Sequence, residues 1–91
     1  MKLTSRLPRG TPVSGKVISR YPFGVYVDIE IGFPALLEVM EFKSAESDRY
    51  RNHLDFPEVN SEITGRVVRL NDRTRQVILT QRLVHPLLDR N

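Results

Sequence analysis

The sequence predicts an all-β protein, a five-stranded antiparallel Greek-key barrel, and three observations carry that prediction. Val25, Val27 and Ile29 alternate with Tyr26, Asp28 and Glu30, the period of two that gives a strand one apolar and one polar face. Four further short runs rich in aliphatic residues are separated by turn-forming residues. The longest connection, the polar stretch from Glu41 to Glu58, falls between the third and fourth runs.

The first strand is expected over Val13 to Arg20, where Val13, Val17 and Ile18 mix with polar residues and Gly15 marks a bulge or bend. Tyr21-Pro22-Phe23-Gly24 forms the bend into the second strand. Tight bends favour small residues that tolerate positive φ, so two rings beside Gly24 face either the core or a contact surface. Val25 to Ile29 is the second strand, Gly32-Phe33-Pro34 a turn, and Ala35 to Met40 a third, shorter strand that completes a meander. The polar connection is expected to cross as a loop or as a short helix, capped by Ser44-Ala45-Glu46-Ser47 and running towards Leu54 before Phe56-Pro57 stops it. Ile63 to Leu70 and Gln76 to Leu83 are the fourth and fifth strands, joined by Asn71-Asp72-Arg73-Thr74-Arg75. The segment His85-Pro86-Leu87-Leu88 is an apolar tail laid on the barrel. Gly15-Lys16-Val17-Ile18 is similar to Gly65-Arg66-Val67-Val68, which reflects the glycine needed where a strand curls rather than a repeat. Inward-facing Val17, Val25, Val27, Ile29, Val67, Val77 and Leu79 make the core, and five strands with this longest connection fit the OB fold.

At 91 residues the chain suits one domain, and a chain of that size buries roughly 60% of its unfolded surface. Hydrophobic residues at 40% and charged residues at 27% place it among ordinary globular proteins. It has no cysteine, and its two histidines, His53 and His85, are far apart in sequence, so neither a disulfide framework nor a metal site is expected. No cofactor is implied. Met1 to Arg6 lacks the apolar core of a signal peptide and no run approaches a membrane span, so a soluble, cytoplasmic chain is expected. No Ser/His/acid order, phosphate-binding glycine loop or metal cluster occurs, and Asp28 and Glu30 are read as solvating one strand face. An enzyme is not expected.

The net charge of +3 conceals a division. Residues 1–27 carry +5, residues 28–62 carry −6 and residues 63–91 carry +4. Folding that gathers the two basic ends onto one face would create a footprint for a polyanion. Single-stranded nucleic acid needs flat rings on which bases stack and cations that follow the phosphates. Phe23 and Tyr26 supply the rings, and Lys16, Arg20, Arg69 and Arg73 the cations.

The series Pro8-Arg9-Gly10, Gly15-Lys16-Val17, Phe23-Gly24-Val25-Tyr26-Val27-Asp28, Gly32, Leu36-Leu37, Val59-Asn60-Ser61 and Val77-Ile78-Leu79-Thr80 resembles the S-one-type RNA-binding domain, named after protein one of the small ribosomal subunit. The resemblance implies an S-one-like OB-fold domain over residues 8–83 with terminal tails at 1–7 and 84–91. It implies that Phe23 and Tyr26 are the base-stacking pair, that Asn71 takes the place of a family aspartate, and that Arg75 or Gln76 takes that of a family arginine. The family's third-strand histidine position is Glu38 here, a common serine is Met40, and a polar residue before Phe23 is Pro22. Tyr21 has no counterpart and either widens the ring surface or covers the first strand. The function implied is binding of single-stranded or loop RNA with low sequence specificity, as a monomer and an accessory to a larger RNA- or ribosome-associated machine. The alternative is a protein-interaction domain whose acidic surface, Asp28, Glu30 and Glu38 included, binds a basic partner.

Overall fold

Alternation decides which side chains fill the interior, and register decides where the rest emerge. The computed structural model describes residues 7–43 and 56–89. Its strands are β1 (Pro12–Tyr21), β2 (Gly24–Asp28), β3 (Ala35–Glu38), β4 (Glu62–Asn71) and β5 (Gln76–Thr80), closed into a barrel in the order β1-β2-β3-β5-β4. The expected barrel and strand order are present. Four seams are antiparallel, whereas β3 and β5 run parallel with Leu36 opposite Ile78 and Leu37 opposite Leu79. Directions can alternate all the way round a ring only if the strand number is even, so a ring of five must contain a parallel seam.

Val17, Val25, Val27, Val67, Val77 and Leu79 are buried as expected, and Ile29 is half-buried against them. Ala35 and Leu37 complete the strand contribution. Two rings were not anticipated in the core, Phe42 and Phe56, which meet edge to face with centroids 4.9 Å apart. Burying a side chain of this size stabilises by roughly 1.5–3 kcal/mol. The need to deliver Phe42 inward explains why β3 stops before its expected end at Met40. Val39–Glu41 forms a 3-10 turn, with the Phe42 N–H bonded to the Val39 carbonyl. The short helix expected from Ser44 towards Leu54 lies outside the described residues.

Two bulges shape the barrel, one in β1 between Val17 and Ser19 and one in β4 between Val67 and Arg69. Each follows a glycine at which strands cross closely. A Cβ on Gly15 would run into the Asp28 carbonyl oxygen, and one on Gly65 would stand 3.0 Å from that of Thr80. The similarity of the two segments is therefore one bending device used twice.

β5 ends at Thr80, before the expected Leu83, because the buried Thr80 hydroxyl accepts the Arg82 N–H at 3.0 Å and the Gln81 N–H turns to the Glu41 carbonyl. Residues 81–89 are then fastened to the barrel. Arg66 donates to both carboxylate oxygens of Asp89 at 3.0 and 2.8 Å, and Asp89 also accepts the His85 N–H. That guanidinium and that N–H hold the Asp89 carboxyl down at about 2. The buried His85 accepts the Leu87 N–H at Nδ1 and places Nε2 3.0 Å from Glu41 Oε1. No helix among the described residues is long and apolar enough to cross a membrane.

Candidate nucleic-acid interface

The bend between β1 and β2 places its rings outside the barrel. Tyr21 pairs with Gly24, and Gly24 has φ 154° with the Leu37 carbonyl oxygen and Glu38 Cα against the place a Cβ would occupy. Only glycine lets β2 and β3 approach so closely there. The β1 bulge then sets the facing. Ser19 pairs with Tyr26 and Arg20 with buried Val25, so Tyr21 emerges on the side of Tyr26, whereas Arg20 leaves on the opposite side.

Tyr21 and Phe23 stack with centroids 5.3 Å apart and planes 3° from parallel, and Tyr26 stands edge-on to them at 5.8 and 6.2 Å. These separations are those of favourable aromatic pairs. Tyr21 is 44% and Phe23 49% exposed, so ring faces remain open for contact. Of the two readings for Tyr21, the geometry matches the wider ring surface.

An open groove of about 720 Å³ lies next to the rings, walled by β3, β4, β5 and the segment after β5, with Glu38, Arg69, Asn71, Gln76, Ile78 and Leu87 among its lining. Register ties the two features together. Tyr26 pairs with Leu36, Leu36 with Ile78 and Ile78 with Arg69, forming one outward row across four strands. Glu38 pairs with Gly24, and the Val39 N–H bonds to the Phe23 carbonyl at 2.9 Å. Glu38 is thus the junction between rings and groove. Arg9 and His85 also line the groove and were not singled out from sequence. Arg9 arrives because Gly10 and Thr11 bond to Val67, and the Pro8-Arg9-Gly10 turn before β1 was the only hint.

The cations divide by place. Arg69 is an exposed groove residue, and Arg73 and Arg75 lie on the hairpin that closes the Asn71–Gln76 end. Asn71 Oδ1 accepts the backbone N–H groups of Arg73 and Thr74 at 2.9 and 3.2 Å, leaving the amide NH2 as its outward donor. Arg75 has φ 54° and closes the turn in the left-handed region. Lys16 stands elsewhere. It pairs with Asp28 on one side and Glu62 on the other, and shares an open depression with both and with Glu30. The structure therefore brings Phe23, Tyr26, Arg69 and Asn71 to one surface, sets Arg73 and Arg75 at its end, and leaves Lys16 among carboxylates and half-buried Arg20 behind its strand. Among the described residues no group of three or more His, Cys, Asp or Glu side chains is placed to hold a metal ion.

Neither a family model nor a curated protein matches the sequence. Solved structures do share the fold. A chain of the a/eIF2alpha–aDim2p–rRNA complex from Pyrococcus horikoshii superposes with TM-score 0.71 and 22% identity, covering 85% of this chain and 45% of that one. The intact alpha subunit of aIF2 from Pyrococcus abyssi gives 0.68 and 19%, covering 84% of this chain and 29% of that one. GSP13 from Bacillus subtilis gives 0.66 and 16%, covering 81% of this chain and 55% of that one. The chain thus spans between 29% and 55% of the length of these structures.

Proposed function

We propose that this OB-fold chain is a binding module for single-stranded or loop RNA, not a catalyst, with little sequence preference over most of the bound strand. The observation that carries the reading is the Tyr21–Phe23–Tyr26 cluster, with Tyr21 and Phe23 exposed and Tyr26 half-buried, joined through Glu38 to a groove lined by Arg69. Open ring faces accept any base, each worth about 1–3 kcal/mol by stacking. Arg69, Arg73 and Arg75 follow the phosphates, and the Asn71 amide donates to a ribose hydroxyl or base edge. The resemblance to the S-one-type domain and the shared fold with a chain of an rRNA-containing complex support the same reading. One small module holds RNA weakly, which fits a monomeric cytoplasmic accessory to a larger RNA- or ribosome-associated machine.

Fluorescence anisotropy with single-stranded RNA, single-stranded DNA and duplex RNA at two salt concentrations tests the proposal. Single-stranded RNA should bind most tightly, with a log–log salt slope near −0.7 per phosphate contact. Binding that ignores salt, or that prefers duplex, would contradict it. A second reading, docking of a basic protein, is favoured by the depression where Asp28, Glu30 and Glu62 surround Lys16. It expects capture of a lysine- and arginine-rich peptide that Asp28→Asn and Glu62→Gln weaken.

A further inference from the structure

Glu38 is out of place on a surface built to attract phosphate. It is exposed, and no ion pair or side-chain hydrogen bond engages it among the described residues. Its backbone crosses directly over Gly24, the next residue's N–H bonds to the Phe23 carbonyl, and Glu38 lines the groove with Arg69 and Asn71. A carboxylate there opposes a phosphate, yet it sits opposite Gly24, on the strand next to the bend that carries Tyr21 and Phe23.

A carboxylate offers two acceptor oxygens and no donor. It binds best to two parallel N–H groups, as it does to the guanidinium fork. Among the four RNA bases only guanine presents such a pair on its Watson–Crick edge, N1–H beside the N2 amino group. Adenine and cytosine put an amino donor next to a ring-nitrogen lone pair, and uracil puts one N–H between two carbonyl oxygens. Each of those three would bring a lone pair against one carboxylate oxygen. We infer that Glu38 is a specificity-determining residue that reads guanine at the position stacked on Tyr21, Phe23 and Tyr26, the rest of the strand being held without regard to sequence. This rests on the RNA-binding reading, which it sharpens at one base.

The test is anisotropy of the full chain with three heptamers: all-uridine, uridine with a central guanosine, and uridine with a central inosine. Inosine stacks as a purine but lacks the N2 amino group, so it isolates the second hydrogen bond from stacking. Wild type should prefer guanosine over uridine by about 5- to 150-fold, the worth of one bidentate contact, and guanosine clearly over inosine. Glu38→Gln, which keeps the shape but turns one acceptor into a donor, should abolish the guanosine–inosine difference while binding all-uridine RNA as well as or better than wild type. Its melting temperature should match wild type, since the side chain is exposed. Equal binding of guanosine and inosine by wild type, or a guanosine preference that survives Glu38→Gln, would overturn the inference and leave RNA binding standing. Failure to bind any heptamer would overturn both, and loss of binding to a lysine- and arginine-rich peptide in Glu38→Gln would then assign the residue to a protein contact.

Discussion

Lys16 and Arg69 are both exposed cations on outward-facing positions of bulged strands, and they sit in opposite surroundings. Lys16 comes two residues before the β1 bulge and lies between Asp28 and Glu62. Arg69 follows the β4 bulge and lies in the row that leads through Ile78 and Leu36 to Tyr26. In the similar segments Gly-Lys-Val-Ile-Ser and Gly-Arg-Val-Val-Arg, Lys16 holds the place of Arg66 before the bulge and Arg69 that of Ser19 after it. What a cation can bind is set here by its cross-strand neighbours, which a count of basic residues along the chain does not reveal.

The largest effect should come from removing what distinguishes the Arg69 surface. Phe23→Ala with Tyr26→Ala deletes two stacking platforms and should weaken single-stranded RNA by roughly 2–6 kcal/mol if each holds one base, measured by anisotropy on variants whose melting temperature shows them folded. Next comes a third cation, Arg66, which differs from both because it carries its own partner. Asp89 is held near 2 by Arg66, so the clasp contributes stability above the ordinary carboxylate range and loses it as pH falls towards about 2. Protection of the Leu88 and Asp89 amides, taken relative to the intrinsic exchange rate at each pH, should fall over that interval in wild type, and Asp89→Asn should remove the transition.

Smaller still is the effect of single groove cations. Arg69→Ala or Arg75→Ala should make the salt slope of RNA binding shallower by about 0.7 each, as one phosphate contact is lost. Lys16→Ala should leave both slope and affinity at the wild-type value, since its charge is already opposed by Asp28 and Glu62. A Lys16→Ala slope as shallow as that of Arg69→Ala would erase the distinction between the two surfaces.

The strands and most of the core were legible because alternation at Val25 to Ile29 and the valines of β1, β4 and β5 depend only on local sequence. The two rings that complete the core were not, since Phe42 and Phe56 lie near the two ends of the polar connection, where no periodicity marks them. The facing of Arg20 was hidden for a different reason. A single bulge at Ile18 reverses the side on which every later β1 residue emerges, and it brings Tyr21 to Tyr26 while sending Arg20 away. Asn71 was recognisable as a turn residue from its place in the hairpin, and its oxygen does fix that turn by accepting the Arg73 and Thr74 N–H groups.

The most direct test follows the resonances of the protein as a uridine-rich single-stranded RNA with one guanosine is titrated in. Aromatic signals of Tyr21, Phe23 and Tyr26 should move most, together with the amides of Gly24, Glu38, Arg69 and Asn71, while those of Lys16, Asp28 and Glu62 stay fixed. Shifts concentrated around Lys16, or ring signals that do not move while RNA is bound, would contradict the assignment of the ring and groove surface as the site.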